Sequence, residues 1–105
     1  MHEAVSAMGH ELVFRTRARR DVHNAVQWYA AKREGLGGQF LLELQRCLGG
    51  IASNLRRHPK IYSEFRQARV KRFPYVVVYR PLDREVVVMR VFHTKQDHRK
   101  KFTRK

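Results

Sequence analysis

Residues 73–93 read FPYVVVYRPLDREVVVMRVFH and form the most apolar segment of the chain. Two valine-rich runs flank Pro81-Leu82-Asp83-Arg84, a connection whose length and turn-forming residues suit a β-hairpin. The triplets Val76–Val78 and Val86–Val88 place apolar side chains on both faces of the pleat. Strands of this kind are usually covered on both faces. The segment therefore predicts an antiparallel hairpin at the centre of a sheet.

Working outward from this hairpin, the sequence predicts two further strands. The hairpin strands are expected at about 75–80 and 85–92, and residues 64–72 before them also have a strand-like pattern. Near the N-terminus, ELVFRT (11–16) alternates enough to be a short strand.

Two helices are predicted between the first strand and the other three. Residues 17–34 carry an apolar stripe at helical spacing, and residues from about 39 to 57 carry another. Gly35-Leu36-Gly37-Gly38 separates them, but it lacks the preceding strand and the Lys-Ser/Thr pair of a phosphate-binding loop. It is interpreted as a helix-to-helix turn with Gly35 as the C′ residue. A close approach of the first helix would account for Gly49-Gly50 in the second.

These elements predict an α+β fold: an N-terminal strand, an antiparallel two-helix hairpin, and a three-stranded antiparallel run that completes one small sheet. The helical hairpin would cover one face of the sheet, and a partner is expected to cover the other. Residues 10–105 are predicted to form a single domain with a basic C-terminal tail. Residues 1–9 are predicted to be a disordered extension, so a chain that begins at Met8 should still fold.

Charge is the most informative property of the composition. Twenty-three Lys and Arg against nine Asp and Glu give a net charge of +14, which points to nucleic acid or to an acidic protein as partner. The single cysteine, Cys47, lies in the apolar stripe of the second helix and is interpreted as a packed core thiol. The lack of a cysteine pair, a signal peptide or an apolar run of membrane-spanning length predicts a cytoplasmic protein without membrane contact.

Several motifs follow one another across roughly residues 10–102. They are Trp28-Tyr29, Gly35-Leu36-Gly37 with Phe40-Leu41, Pro59 with Tyr62, Arg69, Phe73-Pro74-Tyr75-Val76-Val77-Val78-Tyr79, and Val91-Phe92-His93. In their order, and in the order of the predicted elements, they resemble the RelE/ParE superfamily, the toxin subunits of bacterial type II toxin–antitoxin modules. The Gly-Leu-Gly and Phe-Pro-Tyr pieces look more like the ParE side than the RelE side.

The resemblance implies a toxin that a cognate antitoxin neutralises in a hetero-oligomer, with the C-terminal segment of the antitoxin wrapping over the toxin. Such a segment would cover the second face of the sheet. ParE-like members of the superfamily inhibit DNA gyrase, whereas RelE-like members cleave mRNA on the ribosome. Val76 and Phe102 stand where the RelE pattern has an arginine and a tyrosine, which favours gyrase as the target. A ribosome-dependent endoribonuclease and a non-toxic nucleic-acid-binding domain are the alternatives.

The candidate contact residues lie on the predicted sheet and in the basic tail. For target binding they are Arg69, Tyr79, Arg90, His93, Lys95, Arg99, Lys100 and Lys101. In the endoribonuclease alternative, Arg69, Lys71, His93 and Arg99 would bind phosphate and transfer protons. The opposing interpretation of His93 is a histidine that caps or packs at the end of a strand. Because the six histidines show no ligand spacing, no metal site and no cofactor are expected.

Overall fold

The computed structural model describes residues 4–7, 10–55 and 57–95, and the side chains of 11–55 and 57–95. The elements in chain order are β1 (Ala4–Ala7), β2 (His10–Phe14), α1 (Thr16–Lys32), α2 (Leu36–Ser53), β3 (Lys60–Tyr62), β4 (Phe65–Arg69), β5 (Tyr75–Pro81) and β6 (Glu85–His93). Within these ranges, neither helix is long and apolar enough to span a bilayer.

The strands form one six-stranded sheet in the order β1-β2-β6-β5-β4-β3. The predicted hairpin lies at its centre, where β5 and β6 pair antiparallel and Val77 faces Val91. The α+β class and the helical hairpin are confirmed, but the sheet is mixed because β2 pairs parallel to β6, with Leu12 opposite Val86. The two helices carry the chain back over the sheet, and a connection of this length permits the parallel pairing.

The sequence did not predict the two outermost strands. β3 contains three residues, which are too few for an alternation to be recognised. β1 pairs antiparallel to β2, so the predicted disordered extension does not hold for Ala4–Ala7. The segment AVSA carries no strong strand signal, because it consists mostly of small residues. Residues 1–3, 8 and 9 lie outside the described part of the chain.

The helical hairpin packs against one face of the sheet and forms the main core. Phe40 and Ile51 of α2 are fully buried together with Val77 and Tyr79 of β5. Tyr29 of α1 stacks on Phe40, with 5.4 Å between the ring centroids. This face therefore has the cover that the apolar valine triplets require.

The opposite face of the sheet is also buried at its centre. Val76, Val78 and Phe92 are 4%, 1% and 1% exposed, and Phe65 and Met89 pack against them. The expectation that this face waits for a partner is therefore wrong for these central positions. It arose because alternation along a strand indicates which face a side chain occupies but not what covers that face.

Helix α1 also completes an edge of the sheet. β2 pairs with β6 only as far as Phe14, opposite Val88, and the chain then enters α1 at Thr16. Beyond Val88, the Asp21 carboxylate of α1 accepts a hydrogen bond of 2.9 Å from the Val91 N–H of β6. A side chain of the helix thus replaces the strand that ends at Phe14, and a backbone donor of the central strand is satisfied.

The two helices approach each other closely where α2 begins. Gly35 has a φ of +85°, the left-handed conformation expected for it from the sequence, but it is the N-cap of α2 rather than the C′ residue of α1. The predicted turn over 35–38 is wrong for residues 36–38, which belong to the first turn of α2. A Cβ atom at Gly37 would lie 2.8 Å from the carbonyl oxygen of Val26. Gly49 and Gly50, by contrast, have no neighbouring atom within 4 Å of such a Cβ. The close approach predicted for the Gly49-Gly50 pair therefore occurs at Gly37 instead.

This difference predicts opposite effects of alanine on the stability of the fold. Gly37→Ala should lower the free energy of unfolding by about 1–3 kcal/mol, because the new methyl group overlaps a backbone carbonyl. Gly49→Ala and Gly50→Ala should each raise it by about 0.5–1 kcal/mol, because alanine favours a helix interior. Urea unfolding of the three variants measures these changes. An unchanged free energy of unfolding for Gly37→Ala would show that the helices move apart to accept the methyl group. The close approach would then not contribute to stability.

Candidate functional site

A strongly basic groove lies between the second half of α2, the segment after it, and the end of β4 with the following turn. We call it the basic groove and define it by its five cationic side chains, Arg46, Arg57, Arg69, Lys71 and Arg72. All five are exposed. Their positions come from three separate parts of the sequence, which only the folded chain brings together.

The turn after β4 is held in place by the aromatic core. Val70 N–H donates to the carbonyl oxygen of Tyr75 at 2.9 Å and closes the turn, and Arg72 at its tip has a φ of 70°. Phe73 is 8% exposed and packs edge-on against Tyr29, with 4.9 Å between the ring centroids. Phe73 anchors the turn in the core, and the cations that precede it, Lys71 and Arg72, are exposed to solvent.

One carboxylate, that of Glu43, lies among the residues that line the groove, but it is already paired. It is 6% exposed and accepts a hydrogen bond of 3.1 Å from Arg46, while Arg72 lies 3.8 Å away. Five cations less one carboxylate leave the groove strongly positive. Glu43 thus lies between Arg46 of its own helix and Arg72 of the turn.

Two other titratable groups of the groove add no charge near neutral pH. Burial raises the pKa of the Cys47 thiol to about 11, and this thiol donates to the carbonyl oxygen of Arg69 at 3.6 Å. Burial, and then the charge of Arg57, lower the pKa of His58. Cys47 is therefore a protonated, partly buried thiol rather than a nucleophile, in agreement with its interpretation from the sequence. Within the described ranges, His, Cys, Asp and Glu side chains form no group able to hold a metal ion.

A second surface feature, which we call the apolar groove, runs between α1, α2 and β2. Its volume is ≈ 570 Å³. Its apolar lining consists of Leu12, Phe14, Val22, Leu41, Leu44 and Leu48. Leu41 is 38% exposed inside the groove, whereas its neighbour Leu42, 46% exposed, lies outside it. The molecule thus carries separate basic and apolar surfaces.

The chain matches a known protein family over most of its length. The model of the family described as "ParE toxin of type II toxin-antitoxin system, parDE" matches residues 12–98. The chain belongs to the ParE toxin family. The matched region contains both grooves and begins within β2.

A solved structure titled "Chromosomal ParDE TA system from P. aeruginosa" has the same fold. The match has a TM-score of 0.62 at 17% sequence identity, and it covers 83% of this chain and 98% of that one. At this identity the likeness concerns the fold alone. The search of curated proteins found no match.

Of the residues predicted from the sequence, Arg69 and Lys71 lie in the basic groove of the ParE-family toxin. The other three cations of the groove were not predicted from the sequence. Arg72 adjoins Lys71, and this proximity was the one available signal. Arg46 and Arg57 lie in or just after α2, and helical periodicity does not reveal that this part of the chain faces β4.

Tyr79 was predicted to bind the target, but the structure places it in the core. Its side chain is fully buried, and its hydroxyl donates to the carbonyl oxygen of Leu55 at 3.3 Å. Burial raises its pKa to about 12. Alternation along β5 correctly grouped Tyr79 with Val77, but the helices cover the face that they share. Tyr79 is therefore a packing residue and not a contact residue.

Arg90 was also predicted to bind the target, but in the structure its guanidinium forms an ion pair with Asp21 of α1. Its Nε and Nη2 atoms donate to the two carboxylate oxygens of Asp21 at 2.7 and 2.9 Å. The two side chains are 14% and 15% exposed, and the guanidinium lies 4.2 Å from the centre of the Phe92 ring. We call the contacts of Asp21 with Arg90 and Val91 the Asp21 clamp. Arg90 therefore joins β6 to α1 and has a structural role.

His93 ends β6, as the alternative interpretation of it expected. Its Nδ1 accepts a hydrogen bond of 3.1 Å from the backbone N–H of Lys95, and its ring meets Tyr75 edge-on with 5.2 Å between the centroids. Lys95 is exposed. The predicted contact residues Arg99, Lys100 and Lys101 lie outside the described part of the chain.

The Asp21 clamp predicts a large loss of stability when its charge is removed. Asp21→Asn should lower the free energy of unfolding by about 3 kcal/mol, because it leaves the partly buried Arg90 guanidinium without its carboxylate. Arg46→Gln is the matched control: it breaks a pair whose arginine is 63% exposed, and should cost less than about 1 kcal/mol. Equal costs in urea unfolding would contradict a special structural role for the clamp.

Proposed function

We propose that this ParE-family toxin inhibits growth by binding DNA gyrase, and that it does so through the basic groove and the basic C-terminal segment. Membership of the ParE family over residues 12–98 carries the proposal, because that family consists of toxins of type II systems. A net charge of +14 supports attraction to a target that works on nucleic acid. The five exposed cations of the groove supply a defined contact surface on the described chain.

The positions that RNA cleavage would use support an inhibitor rather than a nuclease. Val76 stands where the RelE pattern has a phosphate-binding arginine, and it is 4% exposed. Of the residues assigned to the endoribonuclease, Arg69 and Lys71 are exposed in the basic groove, and His93 accepts a backbone hydrogen bond at Nδ1. General acid–base catalysis needs groups that are free to exchange protons with the substrate. The ribosome-dependent endoribonuclease therefore remains the second candidate.

An antitoxin is the partner that the family implies, and the apolar groove is a suitable binding site for it. Protein interfaces depend on apolar anchors in desolvated pockets, and an amphipathic helix commonly docks in such a groove. A route of the antitoxin across the centre of the second sheet face has less support, because Val76, Val78 and Phe92 are already buried there. We therefore propose that a segment of the antitoxin occupies the apolar groove in a hetero-oligomer.

Pulse labelling after brief induction without antitoxin tests the target. Thymidine incorporation should fall first while methionine incorporation continues, because gyrase inhibition stops replication before translation. Arg69→Glu/Lys71→Glu should abolish this fall, since it reverses charge inside the basic groove. The control Arg20→Glu/Arg33→Glu makes the same charge change at two exposed positions on and after α1 and should remain toxic. An earlier fall in methionine incorporation would favour the endoribonuclease, and no fall in either would refute the toxin function.

Two adjacent leucines test the docking place of the antitoxin. Leu41→Glu places a charge in the apolar groove and should weaken antitoxin binding at least tenfold, or about 1.4 kcal/mol. Leu42→Glu, the same change one position along α2 and outside the groove, should leave binding intact. Growth rescue by the co-expressed antitoxin and co-purification measure the difference, with toxicity in its absence as the control. Equal rescue of the two variants would place the antitoxin elsewhere.

A further inference from the structure

We propose that the basic groove binds the phosphate backbone of duplex DNA without reading its base sequence. This inference rests on the proposed function for its biological setting and deepens it by naming the ligand of the groove. It makes the toxin a direct DNA-binding protein, in addition to an inhibitor of an enzyme that acts on DNA.

The positive charge of the groove is available to an external ligand. Arg57, Arg69 and Lys71 are exposed, and none of them has an ion pair with a described carboxylate. Arg72 is 80% exposed at the side chain and only 3.8 Å from Glu43, so water screens this contact. Clustered exposed cations bind phosphate by Coulomb attraction and by the release of counterions from the nucleic acid.

The chemistry of the groove favours nucleic acid over a protein segment. The large exposed apolar residues of the described chain are Trp28, Leu41, Leu42, Ile61, Tyr62 and Leu82. None of these six lines the basic groove. The centre of a protein interface is typically apolar or aromatic, whereas a phosphate backbone needs only cations and hydrogen-bond donors. The basic groove fits the second description, so its contact with gyrase would be made by charged and polar groups alone.

The described lining of the groove also lacks the aromatic and amide side chains that select single strands or adenine. Its described lining contains no Phe, Tyr or Trp, the side chains on which unpaired bases most often stack. It contains no Asn or Gln, the residues that pair with adenine in the major groove. Arg and Lys side chains that contact phosphates position a protein on a duplex without specifying its sequence.

Two cations of the groove, Arg46 and Arg69, lie on α2 and β4, so that their backbone positions are fixed before DNA binds. Arg46 contacts Glu43 of the same helix at 3.1 Å, and Glu43 lies 3.8 Å from Arg72 of the turn. The Cys47 thiol holds the carbonyl oxygen of Arg69 at 3.6 Å. A fixed array loses less conformational freedom on binding than a disordered basic segment does.

The test is fluorescence anisotropy with a labelled random-sequence DNA duplex and the purified full chain over a range of salt concentrations. The groove variant Arg57→Gln/Arg69→Gln/Lys71→Gln/Arg72→Gln removes four charges but keeps Arg46, so that Glu43 retains its partner. The control variant Arg20→Gln/Arg33→Gln/Arg80→Gln/Arg84→Gln removes four charges at exposed positions outside the groove. The melting temperature shows whether each variant is folded.

For the wild-type chain, the logarithm of the binding constant should fall with the logarithm of the salt concentration at a slope of about −4. Each phosphate contact contributes about −0.9 to this slope. The groove variant should lose most of this slope and bind at least tenfold more weakly. The control variant should change less than threefold. If the groove variant does not fold, Arg69→Gln/Lys71→Gln against Arg20→Gln/Arg33→Gln repeats the comparison with two charges each.

Four results would overturn the inference. They are absent binding of the wild type, equal losses in the groove and control variants, tighter binding of a single strand than of the duplex, and equally effective competition by polyglutamate. Equal losses would assign binding to net charge or to other basic residues. Because the assay contains neither gyrase nor antitoxin, its failure with retained inhibition of DNA synthesis refutes this inference and leaves the proposed function standing. DNA binding by the groove together with unaffected DNA synthesis would refute the proposed function and leave this inference standing.

Discussion

The arrangement of this fold depends on the carboxylate of Asp21, which joins the first helix to the central strand. It accepts hydrogen bonds from Arg90 and from the backbone of Val91, where β2 no longer pairs with β6. Once α1 is fixed along this edge, the close approach at Gly37 sets the position of α2 beside it. The position of α2 in turn places Arg46 beside the turn after β4. The contacts that lead to the basic groove therefore begin at one partly buried ion pair.

The surface of the molecule separates two kinds of chemistry. The basic groove lies where α2 meets β4 and its turn, and the apolar groove lies where α1 and α2 meet β2. A net charge of +14 opposes compaction through self-repulsion, and a well-packed core with two buried sheet faces offsets this cost. Under the proposed function, the basic groove would meet the nucleic-acid-associated target and the apolar groove would meet the antitoxin.

Prediction from the sequence succeeded for the fold and was less successful for individual site residues. The valine triplets and the helical stripes are repeated patterns, so that errors at single positions do not change the assignment of the element. A contact residue, by contrast, depends on one side chain and on what covers it. Tyr79 and Arg90 were placed on the sheet, yet the helical hairpin buries one and Asp21 holds the other. Arg69 and Lys71 lie in the basic groove because a turn exposes their neighbourhood.

The strand–helix–helix–strand order, the central hairpin, the turn at Gly35 and the strong positive charge follow from local patterns and composition, because each is encoded by residues close together in the chain. Three other features depend on residues far apart in the chain. They are the parallel pairing of β2 with β6, the two short edge strands, and the grouping of Arg46, Arg57 and Arg72 with Lys71. Side-chain periodicity describes one element at a time and is independent of how elements meet. Packing between helix and sheet therefore decides which of the many cations of this toxin share a groove.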